Sequence, residues 1–233
     1  MLLGGGKANI KQVAVITRNL KFNKLLCSIL ADWRFFAVED LSAAKVIFAE
    51  RGIELPEHNA QVIWLTPMPL SDENSLETPI CLTTLYHLLE AHLFPTPRRH
   101  VRIAMEIDID LKVEDDWYDG SLVSLSDRGG RISCAREMPR SKSLNVAVKL
   151  AGRVLRIPAK VLYYIPEGDF PGRSQPHIGV LFKSSDGHEF EMLRRFIEKT
   201  CIERACARED IQRTDPCLSW LDVPGDPWET SGE

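Results

Sequence analysis

The 233-residue chain has no uninterrupted apolar run of about 18 residues, so it offers no candidate membrane-spanning helix. Its start, Met-Leu-Leu-Gly-Gly-Gly-Lys, lacks a basic region ahead of an apolar core of about 7–15 residues. A secretory signal is therefore not expected, and a cytoplasmic location is. Cysteine is sparse: the six, at 27, 81, 134, 201, 206 and 217, include no Cys-x-x-Cys pair and read as buried, reduced thiols. The six histidines, at 58, 87, 92, 100, 177 and 188, share no metal-ligand spacing with a cysteine or with each other, so no metal site is expected. A Gly-x-Ser-x-Gly elbow, a His-Glu-x-x-His pair and a P-loop are all missing, and nothing singles out an acid/base pair. An enzyme is not expected.

What is present fits a globular protein: 44% hydrophobic and 27% charged residues, with a net charge of −4. The charge is unevenly spread. Residues 1–94 carry net −2, residues 95–208 net +4, and residues 209–233 net −6. A surplus of four in the middle is too small for a nucleic-acid groove and suits a small phosphorylated ligand.

The first third alternates between element types. Val13–Thr17, Phe35–Val38 and Gln61–Leu65 read as short buried strands, with Ile80–Leu82 as a fourth. Helical spacing of apolar residues covers about 20–31, and Thr84 to Phe94 forms another helix. Ser42 is an expected N-cap for a helix holding Val46, Ile47 and Ala49, which Gly52 ends. Strand–helix alternation predicts a parallel sheet with flanking helices.

Pro95 and Pro97 start a linker, and the pattern then changes. Ile103, Met105, Ile107, Ile109 and Leu111 alternate with mostly charged residues, which predicts a half-exposed strand. Further strands are expected at about 117–126, 130–136, 144–150, 153–164 and 176–183, with turns at Gly120, Gly129–Gly130, Gly152 and Gly172. Closely spaced antiparallel strands predict a small closed barrel. A helix over about 189–208 presents Phe190, Leu193, Ile197, Cys201 and Ala205 on one face, with Arg194, Glu198 and Glu203 outside it. The expected domains are residues 1–94 (α/β), 95–208 (β-barrel with linker) and 209–233, an acidic tail expected to be disordered. Trp220 and Trp228 are unusual in such a tail. Either Leu218–Trp220 packs back on the protein, or the segment docks a partner.

Two arginines four apart, Arg98 and Arg102, precede the alternating strand, with Arg99 between them. The planar fork of a guanidinium matches the O6/N7 edge of guanine and also pairs with phosphate. A hydroxyl-rich turn, Ser124-Leu125-Ser126-Asp127-Arg128-Gly129, follows. The order Arg-x-x-x-Arg, then x-x-Ser-x-x-Gly, resembles a PilZ domain, as do His177-Ile178-Gly179-Val180-Leu181-Phe182 and the terminal helix; the likeness spans Arg98 to about Arg208. It implies a six-stranded antiparallel barrel with a C-terminal helix that binds cyclic di-GMP, without other cofactor. The ligand-binding residues would be Arg98, Arg99, Arg102, Ser124, Ser126 and Gly129. The family begins its second motif with Asp or Asn, and Ser124 departs from that. A serine hydroxyl makes fewer bonds to the guanine N1–H and N2–H edge; losing one bidentate contact costs about 1–3 kcal/mol. Asp127 or Arg128 would compensate if the turn presented them to the ligand.

Residues 11–94 are similar to a degenerate response-regulator receiver. Val62-Ile63-Trp64-Leu65-Thr66-Pro67-Met68-Pro69 resembles the third strand and its turn, which places Leu65 where the phosphoacceptor aspartate stands. Arg18 and Asn19 follow the first strand, where receivers carry their magnesium carboxylates. Leucine supplies neither a nucleophile nor an oxygen ligand, so no phosphorylation is expected there. A generic small α/β domain is the other reading. The implied function is a bacterial cyclic di-GMP effector that changes domain orientation and its contacts with a protein partner, in motility or biofilm control. The N-terminal domain would be a partner or homodimer surface. The alternative is a PilZ-like adaptor that does not bind the nucleotide because of Ser124.

Overall fold

A computed structural model describes residues 11–68, 74–150, 152–168, 175–184, 187–226 and 228. The turn expected at Gly172, and Pro69 of the receiver-like motif, lie outside the described residues. The chain divides into two units: Met1–Val101 with Glu198–Gly225, and Arg102–Ile197 with Asp226–Glu233.

The first unit is a five-stranded parallel sheet. Its elements are β1 (Gln12–Ile16), α1 (Leu20–Asp32), β2 (Phe36–Ala37), β3 (Val46–Glu50), β4 (Gln61–Thr66), β5 (Ser75–Glu77) and α2 (Leu82–Leu93). The strand order is β2-β1-β3-β4-β5, and every neighbouring pair is parallel. That is the flavodoxin-like doubly wound order. Asn19 caps α1 by accepting from the Phe22 N–H at 3.1 Å. Phe22, Leu25, Leu26, Ile29 and Leu30 form its buried face.

Two expected elements are corrected. Val46–Ala49 is strand, not helix, because Val46, Ile47, Phe48 and Ala49 are all buried. A parallel strand covered on both faces reads as a continuous apolar run and shows no two-residue period. Ser42 lies in a turn, its N–H bonded to Asp40 Oδ1, and Gly52 (φ +83°) turns the chain after a strand. The fourth expected strand, Ile80–Leu82, gives only a bridge between Ile80 and Leu221, while Leu82 opens α2. The edge strand is Ser75–Glu77 instead.

The residues after the barrel complete this unit. α2 lacks a side-chain cap of its own at Cys81. Glu198 supplies one: its Oε1 accepts from the Thr83 N–H at 3.1 Å and from the Thr83 hydroxyl. Glu198 is therefore buried rather than outside the packed face. The expectation of a disordered tail is also corrected over its described part. Asp215 caps a 3-10 helix, Pro216–Trp220, and Trp220 stacks on Phe22 with ring centroids 4.9 Å apart. The Ile80 N–H donates to Trp220 O at 2.8 Å, and the Asp222 N–H to Ile80 O at 2.9 Å. Lys21 neutralises Asp215 at 2.6 Å. Ile211, Cys217 and Leu221 are buried, so net charge misjudged a segment whose apolar residues have a place to go.

The second unit is a closed antiparallel barrel of β6 (Ile103–Val113), β7 (Asp116–Ser126), β8 (Gly129–Ser133), β9 (Ser143–Leu150), β10 (Arg153–Ile165) and β11 (His177–Phe182). The order around it is β10-β11-β8-β7-β6-β9, closed by the β9–β10 pair. Ile103, Met105, Ile109 and Leu111 fill the interior as the alternation predicts. Ile107 is half-buried, at a register shift between Ala104 and Ile107. The helix α3 (His188–Arg208) starts in this unit and ends in the sheet unit; Leu193, Ile197, Cys201 and Ala205 are buried along it.

Candidate ligand-binding face

Strand pairing brings the second motif together. Ser124 stands opposite Arg131, Arg131 opposite Gly179, and Gly179 opposite Tyr163. The next row runs Ser126, Gly129, Leu181, Lys160. Directly paired residues share a face. Their neighbours Leu125, Ile132, Ile178 and Val180 are buried, filling the interior, so both rows lie on the outer face. Ser126 is 3% exposed and its hydroxyl donates to Gly129 O at 3.0 Å, which pins the turn.

Glycine is required here by close backbone approach. A Cβ on Gly129 would lie 2.2 Å from Val180 O. One on Gly130 would lie 2.7 Å from Leu122 Cδ1 and 2.9 Å from Ser124 O. At Gly179 a Cβ would meet the Tyr163 ring at 2.2 Å, so that ring lies against the sheet over the glycine and stays 40% exposed. Arg131 and Tyr163 lie outside the sequence motifs, while Gly179 belongs to the His177–Phe182 pattern. Only the register of β7, β8, β11 and β10 puts them beside Ser124, and the hint in the sequence is the two-residue spacing of Gly129, Arg131 and Ser133 along one strand.

Ser124 is 7% exposed. The Arg128 guanidinium sits 4.0 Å over the Phe190 ring, turned to α3. Arg102 immediately precedes Ile103, which pairs with Leu125, and it is exposed. Arg98 and Arg99 belong to the sheet unit. The Arg98 N–H donates to the buried Glu90 at 2.9 Å, and Arg99 O accepts from His87 Nε2. Burial, and then the Glu90 carboxylate, push the Tyr86 hydroxyl up to about 12, while the adjacent Arg98 guanidinium pulls it the other way. The motif residues thus fall in two groups: Arg102, Ser124, Ser126 and Gly129 in the barrel unit, Arg98 and Arg99 in the other.

The PilZ domain family model matches residues 96–199. Residues 96–199 form a PilZ domain. No curated protein sequence matches the chain. Among solved structures, the chain is similar to the Bacillus subtilis inhibitor of motility MotI/DgrA (16% identity, 45% of this chain and 52% of that one, TM-score 0.38). It is also similar to the PilZ domain of Escherichia coli YcgR with c-di-GMP (16%, 49% and 98%, 0.41). A third is the K. pneumonia MrkH–c-di-GMP complex (18%, 49% and 55%, 0.39). The chain therefore spans about half of MotI/DgrA and of MrkH and nearly all of the YcgR PilZ domain.

Outside residues 96–199, the described carboxyl end of the parallel sheet holds one engaged carboxylate, that of Glu50. Leu65 lies on β4, the fourth strand in chain order, so the receiver-like alignment was one strand out of step. The third strand ends in Glu50, whose carboxylate takes the Arg18 guanidinium at 2.6 Å and the Arg18 N–H at 2.8 Å. Among the described residues no group of three or more His, Cys, Asp or Glu is placed to hold a metal ion. The cysteines are free thiols; burial pushes Cys201 up to about 12 and Cys217 to about 11, away from the thiolate that nucleophilic chemistry needs.

Proposed function

We propose that the protein is a cytoplasmic cyclic di-GMP receptor and not an enzyme. What carries this reading is the outer row Ser124–Arg131–Gly179 beside Ser126–Gly129, a cleared and partly cationic barrel surface reached from Arg102. Arg98 and Arg102, with Arg99, supply guanidinium donors for the phosphates and guanine edges. Ordering of the arginine segment on binding changes the orientation of the sheet unit and the contacts of a protein partner, in motility or biofilm control. The sheet unit, whose Glu50 is already neutralised by Arg18, takes part as a partner or dimer surface rather than as a phosphorylated switch.

Isothermal titration of the full chain with cyclic di-GMP tests this. Saturable binding is expected, weakened about ten- to hundredfold in Arg98→Ala and in Arg102→Ala. Equal affinity in parent and both variants would sink it. Ser124 favours a second reading, an adaptor that does not bind the nucleotide. That reading is supported if the parent shows no binding and Ser124→Asp creates it.

A further inference from the structure

A serine at position 124 is short and, at 7% exposure, recessed into the sheet. It cannot present the paired acceptors that a carboxylate offers to the N1–H and N2–H edge of guanine. The same outer row holds a different functional group. Arg131 is the direct cross-strand partner of Ser124, one strand away on the same face. Ile132, next to it in sequence, points into the barrel and is fully buried. On the other side of Arg131 stands Gly179, which has no side chain of its own. The Tyr163 ring lies over that glycine, against the sheet.

We propose that Arg131 is a further guanine-reading residue, beside Arg98, Arg99 and Arg102, and that it reads the O6/N7 edge in place of the N1/N2 edge that a carboxylate at position 124 would read. The chemistry follows from donor count. A guanidinium has five N–H donors and no acceptor. It cannot receive the N1–H or N2–H of guanine and must address O6 and N7, both acceptors, which it matches bidentately. A serine at position 124 and an arginine opposite it together favour the O6/N7 edge. A selectivity results that a carboxylate reader does not have. The exocyclic N2 amino group is not recognised, whereas a donor at the 6-position is rejected because it meets another donor.

This inference rests on the cyclic di-GMP reading above, and the experiment separates the two. The full chain is titrated calorimetrically with cyclic di-GMP, with cyclic di-inosine monophosphate and with cyclic di-AMP. The inosine analogue lacks the N2 amino group but keeps O6 and N7. We expect it to bind within about threefold of cyclic di-GMP, and cyclic di-AMP to bind at least about tenfold more weakly. Arg131→Met, which keeps an unbranched stem, should lose about ten- to hundredfold for cyclic di-GMP. A parent that binds cyclic di-GMP but discriminates against the inosine analogue by tenfold or more overturns the edge assignment, and this arm needs no variant. An Arg131→Met protein with unchanged thermal melting and unchanged affinity overturns it as well. A parent that binds none of the three removes the receptor reading itself.

Discussion

In the barrel every strand has hydrogen-bonded neighbours on both sides, because β9 and β10 pair and close the ring. In the sheet unit β2 and β5 are open edges of two and three residues. The barrel draws its interior from one continuous stretch, whereas the sheet unit borrows a helix cap from Glu198 and a covering segment from residues 211–222. A closed barrel removes edges altogether, and short edges are how an open sheet limits unwanted pairing. The difference places a closed ring of contiguous strands under the candidate binding face and leaves the sheet unit dependent on Glu198 and residues 211–222.

The largest expected effect breaks the barrel alone. Gly129→Ala drives a Cβ into the Val180 carbonyl and should cost about 3 kcal/mol. Urea denaturation followed by segment-resolved hydrogen exchange should show lost protection in β7, β8 and β11 and retained protection in β1, β3 and β4. Trp220→Ala should do the reverse. It removes the ring stacked on Phe22 and should cost about 2 kcal/mol, with faster exchange confined to α1 and Ile80. Glu198→Ala uncaps α2 and should cost about 1.5 kcal/mol, read as faster exchange at Thr83 and the first turn. The smallest effect is acid-dependent. The hydrogen bond from Lys21 holds the Asp215 carboxyl down at about 2, below its ordinary 3.8. A depressed carboxyl contributes stability that is present above its unfolded value and lost as pH falls through the folded one. Protection of Cys217 and Leu221 should therefore fade between about pH 4 and pH 2, and Asp215→Asn should abolish that dependence. A uniform loss across both units in any of these experiments would erase the contrast drawn above.

The barrel was readable from sequence because half-exposed antiparallel strands print their geometry as alternation: Ile103, Met105, Ile109 and Leu111 point in and their neighbours point out. The parallel strand Val46–Glu50 prints nothing of the kind, since both of its faces are covered, and its apolar run fits a helix equally well. The same physics limited the site. Ser126 and Gly129 announce themselves as a motif on one turn. Arg131, Gly179 and Tyr163 become neighbours of Ser124 only through pairing across four strands, which local patterning does not encode. The role of Glu198 was hidden for a related reason, because its partner Thr83 is more than a hundred residues away along the chain.

The way the chain is shared between the units has a temporal consequence. The parallel sheet is begun by the first hundred residues, yet its cap at Glu198 and its bridge at Leu221 are synthesised after all six barrel strands. The six barrel strands, contiguous from Ile103 to Phe182, can pair while the ribosome still holds Glu198 and Leu221. The row Ser124–Arg131–Gly179 is therefore in place along the chain before the sheet unit has its helix cap and its bridge.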